Sequence, residues 1–452
     1  MDKPTELLSS YAASLTYDEL TEDAVHGIKR CLVDSLACAL GGFTGEPSRI
    51  AIAMARQVSG ASPARVFFTN DATSPELAAF ANTTMIRYLD CNDIYRAKEG
   101  GHPSDTIGAV LAAADSTGAS GKRTVLGLAV SYEVFCTLGE MENLGLHSLD
   151  HVLNTAIASA LGAGSVLGLT PEQMAHALSI ALVPNLALRV SRSGHLSMWK
   201  GAAAGNAARN GLFAAQLAAL GMTGPAEPFH GEKGLGDLLG APPVLPPLGG
   251  RDGDFHANII NMKYFPSDYH AQGHIWAAIE LRQQLAATDI AELHAYIHDF
   301  GYHEIGEGQA KWDVQGRETA DHSLPYLLAA SFLDGDMGPA QFTPERIADP
   351  AVHDLIAKVS VHNDPELTSL YEKNAVATRL EAVTTGGERV VVEIESPKGH
   401  FRNPLTDSEL EEKFHRFADG LLPRPTQEAA LHELWQLEQA PNLGSALASL
   451  QV

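Results

Sequence analysis

The chain has 452 residues, 45% of them hydrophobic and 19% charged, which is the composition of a folded globular protein rather than a disordered one. This length predicts about two or three domains and is sufficient to enclose a pocket. The 31 basic and 55 acidic residues give a formal net charge of −24. Such a surface should repel phosphate backbones and anionic lipid, so functions on nucleic acid or at a membrane surface are disfavoured.

The cysteines and the N-terminal residues bear on where the protein works. None of the four cysteines forms a CxxC pair, which argues against a disulfide framework and against an iron–sulfur cluster. The N-terminus lacks a basic segment followed by an apolar stretch, and no run approaches the roughly 20 apolar residues of a membrane span. We therefore predict a cytoplasmic protein with neither nucleic acid nor a membrane as its partner.

The first half of the chain shows the apolar periodicity of successive helices. Thr16 and Glu19 form a predicted capping box for a first helix that ends at the Gly41-Gly42 pair. Six segments rich in Ala and Leu follow, at about 75–90, 105–117, 122–140, 150–168, 171–187 and 198–220. Their spacing, with Gly and Pro between them, predicts one packed helical domain.

The pattern changes after residue 265. A helix at about 270–287 precedes strand-like segments at 292–298 and 356–361, and residues 375–394 predict a β-hairpin with a Gly-Gly turn. From residue 407 the chain is helical again. The predicted fold class is mainly α, with a large all-helical domain of residues 1–265, joined by C-terminal helices in 400–452, and a smaller α+β domain of residues 266–399.

One helical region is free of acidic residues. No Asp or Glu occurs between Glu172 and Glu227, a stretch of 54 residues in which the chain average predicts about seven. The stretch contains four basic residues: Arg189, Arg192, Lys200 and Arg209. Arginine can bind a carboxylate as a bidentate fork and lysine as a point charge. The alternative is a buried, Ala-rich helix pair that excludes charge, which accounts for the missing acids but not for the bases.

A second candidate cluster combines carboxylates with a histidine. Asp90 and Asp93 lie three residues apart, and a Gly-His-Pro-Ser-Asp turn that contains His102 follows at 101–105. A carboxylate and a histidine together can transfer protons near neutral pH. The alternative is structural, because the serine and the aspartate of that turn are also typical helix caps.

The sequence offers little for a metal or a nucleotide. His147 with His151, and His270 with His274, have the i,i+4 spacing that could place two imidazoles on one ion, but neither pair has an HExxH glutamate or an evident third ligand. No GxSxG, GxxxxGK[ST] or strand-borne GxGxxG motif occurs. We therefore predict no metal, and nucleophilic hydrolases and nucleotide-binding proteins are disfavoured.

Several short motifs occur in one order along residues 10–430: LDCND at 89–93, GHPSD at 101–105, LDH at 149–151, MWKG at 198–201, GNAAR at 205–209, KYFP at 263–266, ADHSLPY at 320–326 and PKGH at 397–400. Together they resemble the MmgE/PrpD family, best known for 2-methylcitrate dehydratase. The set is highly specific for the family and much less specific for one reaction.

The resemblance implies a two-domain subunit, usually a homodimer, whose active site lies in the cleft between the domains and needs no metal or organic cofactor. Members act on small di- and tricarboxylates, by dehydration of 2-methylcitrate, decarboxylation of cis-aconitate or epimerisation of iminodisuccinate. These reactions share carbanion-like chemistry beside carboxylates, for which cationic and hydrogen-bonding groups must be preorganised.

The resemblance also implies the site residues. Asp90 matches the first aspartate of the family's LDxxD block, and Asp93 and His102 fall on the next two polar positions. Four more residues match positions that surround the substrate in relatives: His151, Lys200, Lys263 and Tyr326. Five are expected to bind its carboxylates: Arg189, Arg192, Arg209, His270 and His322. Ile94 departs from the pattern, because dehydratase and decarboxylase members commonly have Thr there.

These observations lead to one hypothesis. The protein is a cofactor-independent hydro-lyase that converts a citrate-like hydroxy-polycarboxylate into an aconitate-like alkene and water. His102 or His151, oriented by Asp90 or Asp93, transfers the proton, and Tyr326 donates from the α+β domain. The alternatives are decarboxylation or epimerisation in the same pocket, or a carboxylate-binding protein without catalysis.

Overall fold

The computed structural model describes residues 1–193, 196–250 and 254–451. Its helical part starts with ten α-helices among the described residues: α1 (Lys3–Ser14), α2 (Glu22–Gly42), α3 (Glu46–Ala55), α4 (Pro75–Tyr88), α5 (Ile107–Thr117), α6 (Gly121–Gly139), α7 (Val152–Leu167), α8 (Pro171–Leu182), α9 (Trp199–Ala219) and α10 (Leu235–Leu239). A small antiparallel pair, β1 (Ala64–Arg65) and β2 (Ala72–Thr73), lies between α3 and α4.

The α+β part follows. Its helices are α11 (Gln272–Arg282), α12 (Asp299–Gly301), α13 (Arg317–Ala320), α14 (Leu324–Asp334), α15 (Pro344–Ile347), α16 (Pro350–Ile356) and α17 (Pro365–Glu372). Its strands are β3 (Ile290–Ile297), β4 (Val359–Asn363), β5 (Thr378–Thr384) and β6 (Arg389–Ile394). The chain ends with α18 (Asp407–Ala418), α19 (Arg424–Trp435) and α20 (Leu443–Ala446).

The four strands form one sheet in the order β4-β3-β5-β6, in which β3 pairs parallel with β4 and antiparallel with β5. Residues alternate between buried and half-buried along β5, as expected for a strand with one face covered. Helix α11 packs against β5 and β6, and α14 packs against α11. The predicted hairpin is present, since β5 and β6 pair antiparallel on either side of the Gly-Gly turn.

The buried apolar side chains form two large cores. The helical core runs from Leu8 to Met262 and resumes from Leu405 to Leu450, whereas the α+β core runs from Phe265 to Val392. The predicted fold class is confirmed: the chain is mainly α with a smaller α+β part. The domain boundaries at 265 and 399 stay predictions. Every helix in the described residues is too short or too polar to cross a lipid bilayer.

One helix start differs from the prediction. The Thr16–Glu19 pair closes a capping box on a single 3₁₀ turn, and Leu20 then adopts an extended backbone that ends it. Thr21 is the cap of α2, because its side chain accepts a hydrogen bond from the backbone N–H of Ala24. The sequence has two capping signals in succession, and the second begins the long helix.

Helix α18 returns to the helical core and fixes two loops of the site. Lys413 is 2% exposed, and its Nζ donates to Asp34 Oδ1 at 2.6 Å and to the main-chain carbonyls of Cys91 at 2.8 Å and Lys263 at 2.6 Å. A buried ammonium is stable when paired and fully hydrogen-bonded. The hydrogen bonds of Lys413 therefore connect the loop after α4 to the segment that contains Lys263.

Candidate active site

A cavity of about 260 Å³ opens where the helical and α+β parts meet. It is lined by six Lys and Arg side chains, four Asp and Glu side chains and four histidines. A second cavity of about 320 Å³, near Phe68 and Leu450, has no histidine, and its Arg65 is paired with Asp115. The first cavity therefore concentrates the titratable groups that acid–base chemistry needs.

Asp90 is the centre of the charged end of this cavity. It follows the last turn of α4 and has a left-handed φ of 53°. Its Oδ1 accepts from Arg87 Nη1 at 2.5 Å and from Lys263 Nζ at 2.6 Å, and its Oδ2 lies 3.2 Å from Lys200 Nζ. Lys263 also donates to the main-chain carbonyl of Asp90 at 3.0 Å. Three cations thus share one buried carboxylate.

The α+β part supplies the other side of this end. Asp321 Oδ1 lies 3.0 Å from Lys200 Nζ and 2.7 Å from His322 Nδ1. We refer to the six side chains as the Asp90 cluster: Arg87, Asp90, Lys200, Lys263, Asp321 and His322. Among the described residues, Asp90, Asp321 and His322 are the one group that could hold a metal ion. The Lys200 ammonium already contacts all three, at 3.0 to 3.2 Å.

The cations fix the ionisation of both carboxylates. Burial raises the pKa of Asp90, but Arg87, Lys263 and Lys200 outweigh burial and hold that pKa well below its usual value. Burial likewise raises the pKa of Asp321, and Lys200 with His322 lowers it to about 2. Both groups are therefore anions at neutral pH, and the cluster is a rigid network of opposite charges.

His102 lies just beyond this cluster, before the turn that leads into α5. Its Nδ1 is 2.5 Å from the main-chain carbonyl oxygen of Asp93, and because a carbonyl only accepts, Nδ1 carries the proton. Burial, with the charges of Arg87 and Lys263, lowers the pKa of His102 well below its ordinary value. The ring is therefore neutral at pH 7, with Nε2 unprotonated and able to accept a proton.

The Asp93 carboxylate does not face the cavity, which differs from the expectation that it orients a histidine. It accepts hydrogen bonds from the Ser104 hydroxyl and from the Tyr132 hydroxyl at 2.7 Å, deep in the helical core. Burial raises its pKa to about 6. Asp93 orients His102 through its backbone carbonyl, which no sequence pattern could distinguish from its side chain.

His151 is the second imidazole at this end. Its ring centroid is 5.4 Å from that of His102, and we call the two rings the histidine pair. Asp150, rather than Asp90 or Asp93, lies beside it, with Oδ1 at 3.2 Å from His151 Nδ1. Burial lowers the pKa of His151 to about 3. Its Nε2 lies 3.9 Å from Oδ2 of Asp105, and neither atom has a hydrogen-bond partner.

Two of the three arginines predicted to bind carboxylates, Arg189 and Arg192, line the cavity, but both are already paired with acidic side chains. Arg192 Nε donates to Asp150 Oδ2 at 2.9 Å, and its Nη1 donates to the main-chain carbonyl of Lys200. Arg189 Nη1 lies 3.4 Å from Glu99 Oε1. The stretch without acids is thus neutralised by acids from elsewhere in the chain. The fold, rather than the local sequence, decides which cations remain for a ligand.

His270 reaches the cavity from the α+β part. There it lies near Arg96, an arginine of the helical part that no sequence pattern indicated. The guanidinium carbon of Arg96 lies 3.8 Å from the ring centroid of Tyr371. The His270 ring is 5.6 Å from the same tyrosine ring, and burial lowers the pKa of His270. Both residues line the cavity.

Two further predicted residues lie away from both the cavity and the Asp90 cluster. Tyr326 is fully buried in the α+β core, and its hydroxyl donates to the main-chain carbonyl of Gln341. Arg209 is on α9 and donates to the side chain of its neighbour Asn210. Neither lines the cavity, so the structure gives no support to a donor role for Tyr326 or to carboxylate binding by Arg209.

Three buried guanidinium nitrogens in the described residues have no hydrogen-bond partner. They are Nε of Arg87, Nη1 of Arg96 and Nη2 of Arg192, and all three arginines line the same cavity. A buried N–H without an acceptor costs about 1–3 kcal/mol. Each of these nitrogens would gain free energy from an acceptor that came within hydrogen-bond distance.

The site residues to which no sequence pattern assigned a role differ in how easily a local pattern could have identified them. Arg87 precedes Asp90 by three residues on a predicted helix, a spacing that favours an ion pair. Asp150 and Asp321 were candidates, as parts of the LDH and ADHSLPY motifs directly before predicted histidines, but neither of them was assigned a role from the sequence. Arg96 and Tyr371 are 275 residues apart in the chain, so no local pattern connects them.

Two family models and several known proteins are similar to this chain. The family model described as MmgE/PrpD N-terminal domain matches residues 6–245, and the MmgE/PrpD C-terminal domain matches residues 265–439. The chain is 28% identical to 2-methylcitrate dehydratase of Escherichia coli O157:H7, covering 86% of this chain and 84% of that protein. It is 29% identical to 2-methylcitrate dehydratase of Cupriavidus necator, covering 95% and 93%. It is 26% identical to cis-aconitate decarboxylase of Homo sapiens, covering 96% and 92%.

Proposed function

The chain belongs to the MmgE/PrpD family, and from this membership and the geometry of the cavity we propose that it is a cofactor-independent hydro-lyase. The proposed substrate is a citrate-like hydroxy-polycarboxylate such as 2-methylcitrate, the compound named in the dehydratase relatives. The observation that carries the proposal is a neutral, oriented His102 in a cavity lined by three arginines with unpartnered nitrogens.

The arginines and Lys263 account for substrate binding. A hydroxy-polycarboxylate brings several anionic acceptors, and the buried nitrogens of Arg87, Arg96 and Arg192 lack acceptors. Removing a proton next to a carboxylate places negative charge on that carboxylate. Fixed cations stabilise this charge without having to reorganise. The ammonium of Lys263, which is 2% exposed and held by Asp90 at 2.6 Å, is such a cation.

His102 accounts for the proton. Its Nε2 takes the proton from the carbon beside the carboxylate, and the electron pair forms the double bond as the carbon–oxygen bond breaks. The imidazolium then returns its proton to the departing hydroxide, which leaves as water. His102 is neutral again at the end, so atoms and charge balance without a cofactor. A single group acting twice requires the hydrogen and the hydroxyl to leave from the same side of the substrate.

The direct test is a screen of di- and tricarboxylates with the purified protein. We expect 2-methylcitrate or citrate to give the absorbance of a new conjugated alkene, without carbon dioxide. Lys263→Ala should reduce turnover at least about a hundredfold, the typical effect of removing one preorganised electrostatic group. Lys358→Ala is the matched control, because its Nζ donates to the carbonyl of Ile290 in the sheet and Lys358 does not line the cavity. If no tested hydroxy-acid is dehydrated, the hydro-lyase proposal is wrong.

The second candidate is decarboxylation of cis-aconitate, because the chain aligns over 96% of its length with a protein that bears that activity in its name. Carbon dioxide release from cis-aconitate in the same screen would favour it. Exchange of a substrate proton with solvent deuterium, without net reaction, would indicate an epimerase. Thermal stabilisation by carboxylates without any turnover would indicate a binding protein.

A further inference from the structure

Among the described residues, Arg96 and Lys98 are the two cations of the cavity that have no carboxylate partner, and of these two only Arg96 also has a buried nitrogen without a hydrogen-bond partner. Arg87 and Lys263 are paired with Asp90 at 2.5 and 2.6 Å. Arg189 and Arg192 are paired with Glu99 and Asp150, as described above. Among the described residues no carboxylate lies within 4.0 Å of Arg96, and its Nη1 is buried without a hydrogen-bond partner. Lys98, the sixth cation, is exposed and bonds the main-chain carbonyl of Met141.

The guanidinium of Arg96 is held in place although it has no counter-ion. Tyr95 and Gly101 exchange two backbone hydrogen bonds, at 2.8 and 3.1 Å, which close the loop that carries Arg96. Its guanidinium lies 3.8 Å above the Tyr371 ring, and its Nη2 donates to the Tyr371 carbonyl at 3.0 Å. The cation is therefore preorganised, which reduces the entropy lost on binding a ligand.

The tyrosine that supports Arg96 is itself fixed from the α+β part. Its ring stacks on His298 with centroids 3.8 Å apart and an angle of 9° between the planes. His270, on the cavity wall, packs against both rings and has a buried Nδ1 without a partner. A cation from the helical part and an imidazole from the α+β part thus lie around one aromatic platform.

We propose that Arg96, seated on Tyr371, forms a carboxylate subsite that selects ligands with a third carboxylate over dicarboxylates. The inference rests on the proposed function, because it assumes that a polycarboxylate occupies this cavity. Arg87 and Arg192 each offer one unpartnered nitrogen beside an ion pair on the helical side. Arg96 offers a third nitrogen, and among the described residues it has no carboxylate within 4.0 Å, although Asp268 and Glu304 line the same cavity. Three such positions suit three carboxylates, and a dicarboxylate leaves Arg96 unsatisfied.

The test uses two ligands that differ by one carboxylate. Tricarballylate is glutarate with a carboxylate on its central carbon, and neither compound has a hydroxyl to lose, so calorimetric titration measures binding without turnover. We expect the wild type to bind tricarballylate more tightly than glutarate. Arg96→Gln should weaken tricarballylate binding by about tenfold to a hundredfold, the range of a charge-assisted hydrogen bond, and leave glutarate binding unchanged.

Two further variants sharpen the result. Arg402→Gln is the matched control, because Arg402 also lies over an aromatic ring, that of Phe401 at 5.3 Å, and donates to a backbone carbonyl, but it is outside the cavity. Arg96→Lys keeps the positive charge but loses the bidentate guanidinium group, so it should retain part of the preference for tricarballylate over glutarate. It also tests the subsite if Arg96→Gln fails to fold, which circular dichroism would show.

The outcomes separate this inference from the proposed function. Equal weakening of both ligands in Arg96→Gln, or no weakening of either, would overturn the subsite, as would a wild type that binds neither ligand. If the wild type dehydrates a citrate-like acid and Arg96→Gln leaves its KM unchanged, the hydro-lyase proposal stands and the subsite falls. If no hydroxy-acid is dehydrated but the tricarboxylate preference depends on Arg96, the subsite stands and the hydro-lyase proposal falls.

Discussion

The Asp90 cluster and the histidine pair lie at one cavity, and they accommodate burial in opposite ways. In the cluster, Asp90 remains charged because Arg87, Lys263 and Lys200 hold its pKa well below the usual value despite burial. In the histidine pair, burial dominates, and it lowers the pKa of both rings. The carboxylate of the cluster therefore stays charged, whereas the two imidazoles of the histidine pair stay neutral.

The difference separates two tasks that one site has to perform. Fixed cations stabilise an anionic ligand and the charge that develops on it, but a histidine that was already protonated could not take up a proton. Neutral imidazoles can do so, but they contribute little to holding carboxylates. Placing the two environments side by side allows one cavity to bind an anion and still contain a base. Substitutions at the two ends should therefore have different consequences.

Asp90→Asn should give the largest effect, because it removes the anion that three buried cations share. Breaking a buried charge network costs about 3–5 kcal/mol, so the free energy of unfolding in urea should fall by that amount and turnover should be lost. Asp71→Asn is the control, since Asp71 pairs with a half-exposed Arg56 and such pairs contribute about 0–1 kcal/mol. Equal stability of the two variants would show that the cluster does not depend on Asp90.

His102→Gln should have the contrasting effect, with catalysis lost and stability kept. Glutamine can still donate to the Asp93 carbonyl but cannot take up a proton, so kcat should fall about 10²- to 10⁴-fold. The unfolding midpoint in urea and the affinity for tricarballylate should stay near those of the wild type. His362 lies on β4 and outside the cavity, so His362→Gln should change neither kcat nor the unfolding midpoint. A His102→Gln variant with normal kcat would rule out the proposed base.

Much of the fold was predictable because apolar periodicity is a local property. Seven of the ten helices described in the helical part, and the hairpin of β5 and β6, follow from it with bounds that differ by a few residues, whereas α1, α3 and α10 were not predicted. The beginning of α2 differed because two capping signals follow each other within six residues, at Thr16 and Thr21. A pattern reports that a cap is present, and the tertiary packing decides which one begins the long helix.

The site was predictable only in part, because charge pairing is not local. Counting identified the cations of residues 173–226 but could not show that Glu99 and Asp150 pair with two of them. The platform under Arg96 is formed by Tyr371, 275 residues later. Motifs that resemble a family predict which residues meet, whereas the structure shows which of them remain unpaired and which, like Tyr326, are engaged elsewhere.

Asp105 gives a smaller effect, which depends on pH and comes from the histidine end. Burial raises the pKa of Asp105 to about 7, with Arg87 opposing it. The stabilisation that the protonated carboxyl gives is therefore present below the unfolded pKa of about 4 and is lost as the pH rises through 7. As the pH rises from 5 to 8, the titration of Asp105 should lower the free energy of unfolding of the wild type by about 3 kcal/mol.

Asp105→Asn keeps the shape and resembles the protonated acid, so its unfolding free energy should fall less between pH 5 and pH 8 than that of the wild type. Chemical denaturation at both pH values measures this. Asp115→Asn removes a carboxylate outside the cavity, so its unfolding free energy should fall between pH 5 and pH 8 as much as that of the wild type. If that of Asp105→Asn also falls as much, Asp105 is not the group that titrates.

A substitution at Ile94 should give the smallest effect. It tests whether a hydroxyl group between the Asp90 cluster and the histidine pair would improve catalysis. Ile94 lines the cavity at the position where family members commonly have Thr. In Ile94→Thr a neutral hydrogen bond to the substrate, worth about 0.5–1.5 kcal/mol, should raise kcat/KM for a citrate-like acid by less than about tenfold. Ile94→Val removes a methylene without adding a donor, so it controls for volume. If both variants change kcat/KM equally, the hydroxyl contributes nothing, and the aliphatic side chain at position 94 acts through packing alone.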